Sequence, residues 1–216
     1  MGTKLIALLK KHPFLIVANL FGLYLFSKMA EDVIEKEFIL VIDRWISIHV
    51  NALQTPVLNS WMIALTHMNG GMGILVFSAV VMVILVYLKW YRDLWFYLVT
   101  VIGSATAFMI IKSIVGRLRP GSEVIEVSGY AFPSGHATMA SAMSAALYFI
   151  LVKRVDSVIL KTVLLLACIT WPLMIAASRV YLDVHWLSDV IAGLGLGLFW
   201  TTLVALFFEW RDNGRS

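Results

Sequence analysis

The amino-acid sequence predicts an all-α, polytopic membrane protein with six transmembrane helices and short interfacial helices after the first span. Of the 216 residues, 61% are hydrophobic and 14% are charged, whereas soluble domains average roughly 45–50% apolar and about 25% charged residues. An aqueous globule of this size could not cover so much apolar surface, so the surrounding solvent must be lipid. Eight tryptophans and seven tyrosines are typical of a protein with many helix ends at membrane–water interfaces. We expect one membrane-embedded domain over residues 1–216.

Uncharged runs mark the predicted spans, and most of them are long enough to cross an apolar core of about 30 Å at 1.5 Å per residue. The first run has the basic start of a signal peptide, but its only small-residue cut site, after Ala30, has Lys28 at the −3 position, where a small residue is expected. We therefore expect a retained, short first helix. The charged segment 31–44 is predicted to lie outside the membrane, and residues 45–65 to form interfacial or re-entrant helices before the polar stretch 66–71. The six spans are predicted at residues 12–27, 72–88, 94–111, 135–152, 161–178 and 190–208.

The basic residues predict the orientation. Ten of the seventeen Lys and Arg fall on one side of the predicted topology, which the positive-inside rule makes cytoplasmic together with both termini. They form no run beyond a pair, which argues against a nucleic-acid partner. These ten are Lys4, Lys10, Lys11, Lys89, Arg92, Lys153, Arg154, Lys161, Arg211 and Arg215. Four other cations then face outward from the plasma membrane, against the rule, and need a different explanation: Lys112, Arg117, Arg119 and Arg179.

Three polar segments are predicted to meet at the outward surface. Residues 112–120 end the third span, residues 133–136 open the fourth, and residues 178–189 join the fifth and sixth. The chain returns to the same side between them, so the segments share a face even if helices upstream are miscounted. This co-location does not depend on the orientation of the protein.

The side chains of these segments suit a phosphate group. Lys112 supplies a point charge, while Arg119 and Arg179 supply planar forks that bind phosphate oxygens in pairs. Ser134 and Gly135 stand where a loop enters a helix, so their backbone N–H groups are expected to point at an anion, aided by the helix dipole.

Three further residues could carry out chemistry on that phosphate. His185 and Asp189 are four residues apart, so Asp189 can hold one imidazole nitrogen protonated and leave the other free to attack. His136 is then available as a general acid for the leaving oxygen. Two histidines and an aspartate could also ligate a metal, but the surrounding cations would repel it. We expect neither a metal nor another cofactor.

The motifs K-x6-R-P, P-S-G-H and S-R-x5-H-x3-D occur in order between Lys112 and Asp189. Together they resemble the three-part signature of the type 2 phosphatidic acid phosphatase family, which includes phosphatidylglycerophosphate, undecaprenyl-diphosphate and sphingosine-phosphate phosphatases and soluble vanadium haloperoxidases. The resemblance implies a lipid phosphate as substrate and His185 as a nucleophile that forms a phosphohistidine. It also implies that Asp189 orients His185 and that His136 is the acid. The phosphate-binding residues it implies are Lys112, Arg119, Ser134, Gly135 and Arg179.

The number of cations in the predicted site also bears on the substrate. Three cations against about two negative charges on a monoester leave one charge for a second anionic group, to which Arg117 could add. We therefore expect phosphatidylglycerophosphate, with undecaprenyl diphosphate as runner-up, and the chain's small size most resembles the phosphatidylglycerophosphate phosphatases of Gram-positive bacteria. Arg117 lies outside the motif positions and is otherwise read as a topology or headgroup anchor. An anion or phospholipid transporter is the alternative from another class, and the oligomeric state stays open.

Overall fold

The structure, a computed structural model, describes residues 11–212 and contains no strand within that range. The predicted cytoplasmic residues Lys4, Lys10 and Arg215 lie outside the described residues. Eight α-helices are described, and a short 3-10 turn, Val152–Arg154, follows the sixth. They are α1 (Pro13–Glu35), α2 (Ile39–Leu53), α3 (Pro56–Met68), α4 (Gly71–Tyr87), α5 (Tyr91–Val115), α6 (Gly135–Leu151), α7 (Val158–Tyr181) and α8 (Leu187–Asp212).

Five of these helices are long and apolar enough to cross a membrane: α1, α5, α6 with its 3-10 turn, α7 and α8. The helices α3 and α4 are too short individually, but they pass the same test together and are bent by 47° at the break between them. They form either a broken sixth span or a re-entrant segment. The prediction of an all-α, multi-span membrane protein is confirmed, and the count of six spans requires that the bent pair crosses as one unit.

The first helix extends beyond the predicted span. We expected it to end at Ser27, but α1 continues to Glu35 and α2 begins only four residues later, at Ile39. Lys28 forms ion pairs with Glu31 and Asp32 one turn along the helix, at 3.2 and 2.7 Å. Pairs at this spacing stabilise a helix, so the helix continues through the charges that mark the end of the predicted span.

Small residues in α8 set the packing at the centre of the bundle. A Cβ added to Gly193 would lie 2.6 Å from the carbonyl oxygen of Ser134, and one added to Gly197 would lie 2.4 Å from that of Thr138. A Cβ on Gly195 would lie 2.8 Å from the carbonyl oxygen of Gly22 in α1. The glycines thus let α6 and α1 approach α8 closely, which agrees with helix packing through small residues in membranes.

This close packing aligns the ends of four helices. The backbone N–H of Ser134, just before α6, donates to the carbonyl of Asp189 in the first turn of α8 at 3.0 Å. Arg119, after α5, donates to the carbonyl of Val184, after α7, at 2.7 Å. The end of α5, the start of α6, the end of α7 and the start of α8 therefore meet at one end of the bundle, as the motif order predicts.

Candidate active site

His185 stands at the centre of this helix junction, in the turn between α7 and α8, and its surface is 2% exposed. Its Nδ1 lies 3.4 Å from Oδ2 of Asp189, and its Nε2 lies 2.9 Å from Nη1 of Arg119. A guanidinium can only donate hydrogen bonds, so Nε2 must be the acceptor, and Nδ1 then carries the proton that faces Asp189. The four-residue spacing predicted this pair, although α8 begins only at Leu187, after the histidine.

The surroundings of His185 keep its imidazole neutral. Burial lowers the pKa of His185 well below its ordinary value, and the positive charges of Arg119, Arg179 and Lys112 lower it further. A backbone hydrogen bond with Ala131 acts weakly in the opposite direction. Nε2 is therefore unprotonated at neutral pH, which a nucleophile requires.

The three predicted phosphate-binding cations surround this nitrogen. Besides its contact with His185, Arg119 donates from Nε to the carbonyl of Gly129 at 2.9 Å. Arg179, in the last turn of α7, is 2% exposed and donates from Nη1 to the hydroxyl of Thr66 at 2.8 Å. Its Nε is buried and has no hydrogen-bond partner among the described residues. Lys112, in the last turn of α5, has its ammonium 5.9 Å from the centre of the Phe108 ring.

The start of α6 differs in one respect from the prediction. Ser134 caps the helix, since its hydroxyl accepts from the N–H of Ala137 at 3.5 Å, and its own N–H donates to the carbonyl of Asp189. The expectation that the Ser134 backbone N–H points at an anion is therefore wrong. Gly135 keeps the predicted position at the first residue of the helix, where an N–H has no intrahelical acceptor. A Cβ on Gly135 would lie 2.9 Å from the Phe108 ring.

The bend between α3 and α4 forms a wall of the site, which the sequence did not reveal. Thr66 holds Arg179, and the Asn69 amide donates to the carbonyl of His136, the second residue of α6, at 2.8 Å. A Cβ added to Gly70 would lie 3.9 Å from Nε2 of His136. The polar stretch at residues 66–71 could have signalled this role, because polar residues within an apolar run commonly mark a functional site. We had read the stretch only as an interruption between helices.

Arg117 lies within the site and joins two buried carboxylates. Its Nη1 donates to Oδ1 of Asp189 at 2.6 Å and to the Ser188 hydroxyl at 2.7 Å, and its Nη2 donates to Oδ2 of Asp43 at 2.7 Å. Asp43, in α2, is 1% exposed, and it also accepts from the backbone N–H and the hydroxyl of Ser188 at 2.9 and 2.5 Å. We call these four side chains the Arg117 cluster. The cluster fixes the carboxylate that orients His185.

The interpretation of Arg117 as a topology or headgroup anchor is therefore wrong, because its charge is engaged by Asp43 and Asp189. The same ion pairs remove the spare charge that we assigned to it. With the Arg117 cluster included, four cations face two carboxylates, which leaves two positive charges for about two negative charges on a phosphate monoester. The charge count gives no preference for a lipid with two phosphates.

Fold and site together define a multi-span membrane protein with an electropositive histidine–aspartate site at one end of its helical bundle. The family model described as PAP2 superfamily matches residues 93–213, a range that contains all three motifs. The chain belongs to the PAP2 superfamily.

Two relatives show which kinds of protein are similar to this chain in sequence. The chain is 28% identical over 194 residues to phosphatidylglycerophosphatase B of Bacillus subtilis (strain 168), covering 87% of this chain and 94% of the relative. It is 32% identical over 133 residues to the lipid A 1-phosphatase of Rhizobium johnstonii, covering 56% of this chain and 50% of that relative.

A solved structure shares the fold. It is the transmembrane PAP2 type phosphatidylglycerolphosphate phosphatase from Bacillus subtilis, which superposes with a TM-score of 0.76. The alignment has 24% sequence identity and covers 90% of this chain and 96% of that one.

The Arg117 cluster generates a stability prediction. Arg117→Ala leaves two buried carboxylates without their cation, and we expect it to lower the free energy of unfolding by about 3–5 kcal/mol. Adding Asp43→Asn to the same chain should restore part of the loss, because one of the two uncompensated charges is gone. Thermal unfolding of the purified protein in detergent measures both effects.

The matched control is Arg44→Ala, which removes an exposed arginine next to Asp43 and should change stability by less than about 0.5 kcal/mol. An Arg117→Ala protein that unfolds at the same temperature as Arg44→Ala would show that the cluster carries no stability.

The lowered pKa of His185 generates a pH prediction. Below the ordinary histidine pKa of about 6.5, His185 binds a proton in the unfolded chain but stays neutral in the folded protein, because its pKa is lowered there. The free energy of unfolding therefore falls as the pH falls. At one pH unit below 6.5, this group should cost up to about 1.4 kcal/mol. Thermal unfolding measured from about pH 7.5 to about pH 5.5 should show a smaller acid loss in His185→Gln than in the wild type. An equal or greater acid loss in the variant would contradict the neutral, buried imidazole.

Proposed function

We propose that the chain is a lipid phosphatase that transfers a terminal phosphate to Nε2 of His185 and then to water, without a metal ion. The observation that carries the proposal is the orientation of the His185 imidazole. Its Nδ1 lies 3.4 Å from Asp189 and its Nε2 lies 2.9 Å from Arg119, so Nε2 is left with the lone pair. Three cations gather around a nucleophile that is neutral at physiological pH. A pure binding site for anions would need these charges, but it would not need the oriented histidine.

The first step begins when the phosphate reaches the cations. Arg119 then exchanges its hydrogen bond with Nε2 for bonds to phosphate oxygens, and the freed lone pair attacks phosphorus in line. The bond between phosphorus and the lipid oxygen breaks, and His136, which binds a proton once the negative charge of the phosphate lies beside it, donates that proton to the departing alkoxide. A phosphate oxygen would also satisfy the buried Nε of Arg179, which lacks a partner among the described residues.

The second step regenerates the enzyme. His136, now neutral, takes a proton from a water molecule that attacks the phosphohistidine, the bond from phosphorus to Nε2 breaks, and phosphate leaves. Lys112, Arg119 and Arg179 stabilise the negative charge on the equatorial oxygens in both steps. Metal ions play this role in many phosphoryl-transfer enzymes. Within residues 11–212, no group of three or more His, Cys, Asp or Glu side chains could hold a metal ion.

Phosphatidylglycerophosphate is the substrate that we propose. The support is the similarity to phosphatidylglycerophosphatase B of Bacillus subtilis, which extends over 87% of this chain and nearly the whole of that relative. The charge count supports a monoester phosphate but does not distinguish among lipids that carry one.

We further propose that the protein lies in the plasma membrane with its termini in the cytoplasm and its active site facing outward. Six of the ten residues that predict this orientation lie at the turns and tail opposite the site, after α4, after α6 and at the end of α8. They are Lys89, Arg92, Lys153, Arg154, Lys161 and Arg211.

The mechanism predicts a phosphoenzyme on one histidine. After brief reaction with a radiolabelled lipid phosphate, the wild type should carry acid-labile, base-stable label, and His185→Ala should carry none. Turnover in His185→Ala should fall by several powers of ten, and Asp189→Asn should be slowed by roughly 10³–10⁴-fold through loss of the tautomer. His49→Ala, at an exposed histidine of α2, is the control and should behave as the wild type. Label that persists in His185→Ala would refute the assignment.

The substrate and the absence of a metal can be tested in one assay. We expect kcat/KM for phosphatidylglycerophosphate to exceed that for phosphatidic acid and for undecaprenyl diphosphate when all three are measured in the same detergent, because kcat/KM compares transition-state binding. Activity should persist in EDTA, and vanadate, which mimics the five-coordinate phosphoryl group, should inhibit. A higher kcat/KM for either other lipid would overturn the substrate, and activity that returns from EDTA only with magnesium would overturn metal independence.

The orientation predicts which loop an impermeant thiol reagent can reach in intact cells. The background is Cys168→Ser, which removes the single cysteine. Ser128→Cys, exposed in the loop before α6, should react, and Asp156→Cys, exposed in the turn after it, should react only once the membrane is permeabilised. The reverse pattern would place the active site inside the cell.

A further inference from the structure

A cavity of about 360 Å³ lies between the bend that joins α3 to α4 and the neighbouring helices α6 and α7. Its walls are chiefly apolar, with Ile74 and Phe77 from α4, Met143 and Leu147 from α6, and Trp171 from α7. We call it the apolar cavity. Its volume falls within the range of about 300–1,000 Å³ that small-molecule sites occupy.

The apolar cavity and the active site share a wall. Asn69 lines the cavity and donates its amide to the carbonyl of His136 at 2.8 Å. Asn69 is buried, and the next residue, Gly70, faces Nε2 of His136. One residue of the cavity wall is therefore bonded directly to the backbone of the proposed general acid.

The local structure keeps this space open. A Cβ added to Gly73 would lie 2.2 Å from the carbonyl oxygen of Met68, so the tight bend at the start of α4 requires a glycine there. The bend turns α4 by 47° relative to α3, while α3 remains tied to the end of α7 by a 2.9 Å hydrogen bond from Tyr181 to Asn59. The small side chains of Ala167 and Cys168 face the cavity from α7. The cavity thus arises from the backbone path and from small residues.

We propose that the apolar cavity holds an acyl chain of the lipid substrate while the substrate's phosphate lies at His185. This inference rests on the proposed function. The occupant must be apolar, because the walls offer almost no partner to a charged or polar group. We expect it to come from the membrane, because Phe77 and Ala167 line the cavity and are also exposed. Ala167 lies on α7, which is long and apolar enough to span a membrane, and Phe77 lies on α4, which passes the same test together with α3. A substrate that is anchored in lipid and reacts at His136 and His185 meets both conditions.

The cavity positions the chain more than it attracts it. Lipid tails are as apolar as the cavity walls, so moving a chain from the bilayer into the cavity gains little hydrophobic free energy. Its contribution is to direct the headgroup toward the cations, since holding reacting groups in the right geometry accelerates a reaction. Blocking the cavity should therefore slow hydrolysis of long-chain lipids more than that of short-chain analogues.

The experiment compares two identical substitutions. Ala167→Trp fills the cavity, and Ala79→Trp places the same side chain on an exposed position of α4 outside it. For each purified protein, kcat/KM is measured with long-chain phosphatidylglycerophosphate and with a short-chain, water-soluble form of the same lipid. We expect the ratio of long-chain to short-chain kcat/KM to fall about tenfold or more in Ala167→Trp and to keep its wild-type value in Ala79→Trp. A ratio that is the same in both variants would overturn the acyl-chain site.

A second measurement decides the question if Ala167→Trp does not fold. Cys168 is the only cysteine in the chain and lines the cavity, so its alkylation by a membrane-permeant maleimide reports on occupancy in the wild type. A non-hydrolysable long-chain phosphonate should protect Cys168, whereas inorganic phosphate should not. Equal protection by uncharged lipid alone would identify the occupant as a structural lipid, and no protection by the phosphonate would also overturn the proposal. Failure of the wild type to hydrolyse phosphatidylglycerophosphate of either chain length would instead refute the proposed function.

Discussion

The sharing of one guanidinium between two buried carboxylates is the interaction on which the rest of the site depends. Arg117 joins Asp43 from α2 to Asp189 from α8, and Ser188 closes the cluster between them. Removing these charges from water costs several kcal/mol per ion, and only close, hydrogen-bonded geometry compensates for that cost. The geometry in turn fixes the orientation of Asp189, and through it the tautomer of His185. The interfacial helix α2 is thereby part of the active site rather than a peripheral element.

The balance of charge around His185 follows from this cluster. Lys112, Arg119 and Arg179 repel one another, and a site with no internal anion would disfavour the folded state until a ligand arrives. The two carboxylates reduce that repulsion, yet they lie on the far side of the imidazole from Nε2, where they leave the cations free to meet a phosphate. The ion pairs of the Arg117 cluster therefore hold the site together, while the other three cations supply the positive charge that a phosphate would meet.

The sequence predicted the parts of the site that alternation across a membrane imposes. Because each span reverses the side of the chain, the motifs near Lys112, His136 and His185 had to meet at one surface. The four-residue spacing also predicted Asp189 beside His185, although the histidine lies in the turn before the helix. Asp43 was beyond such reasoning. Its contact with Arg117 joins residues 74 apart and depends on α2 folding back over the end of α8.

The hydropathy pattern missed two features of the packed helices for one physical cause. Hydropathy averages over the direction in which each side chain points. It therefore predicts only the end of a span at the charges near the end of α1, and only a break between helices at the polar stretch before α4. Lys28 and Glu31 instead satisfy one another along the helix, and Thr66 and Asn69 point inward, toward the catalytic groups. The role of a polar residue in a membrane protein depends on its partners, which only the packed helices specify.

The contact between Arg119 and Nε2 of His185 has a consequence for selectivity. In the free protein the lone pair of the proposed nucleophile is occupied by a guanidinium hydrogen bond, so the proposed mechanism masks the histidine from compounds that carry no negative charge. An electrophile can reach Nε2 only if it offers the arginine better acceptors than the imidazole does. In the proposed mechanism, anionic substrates thus unmask the nucleophile as they bind, while neutral esters leave it protected.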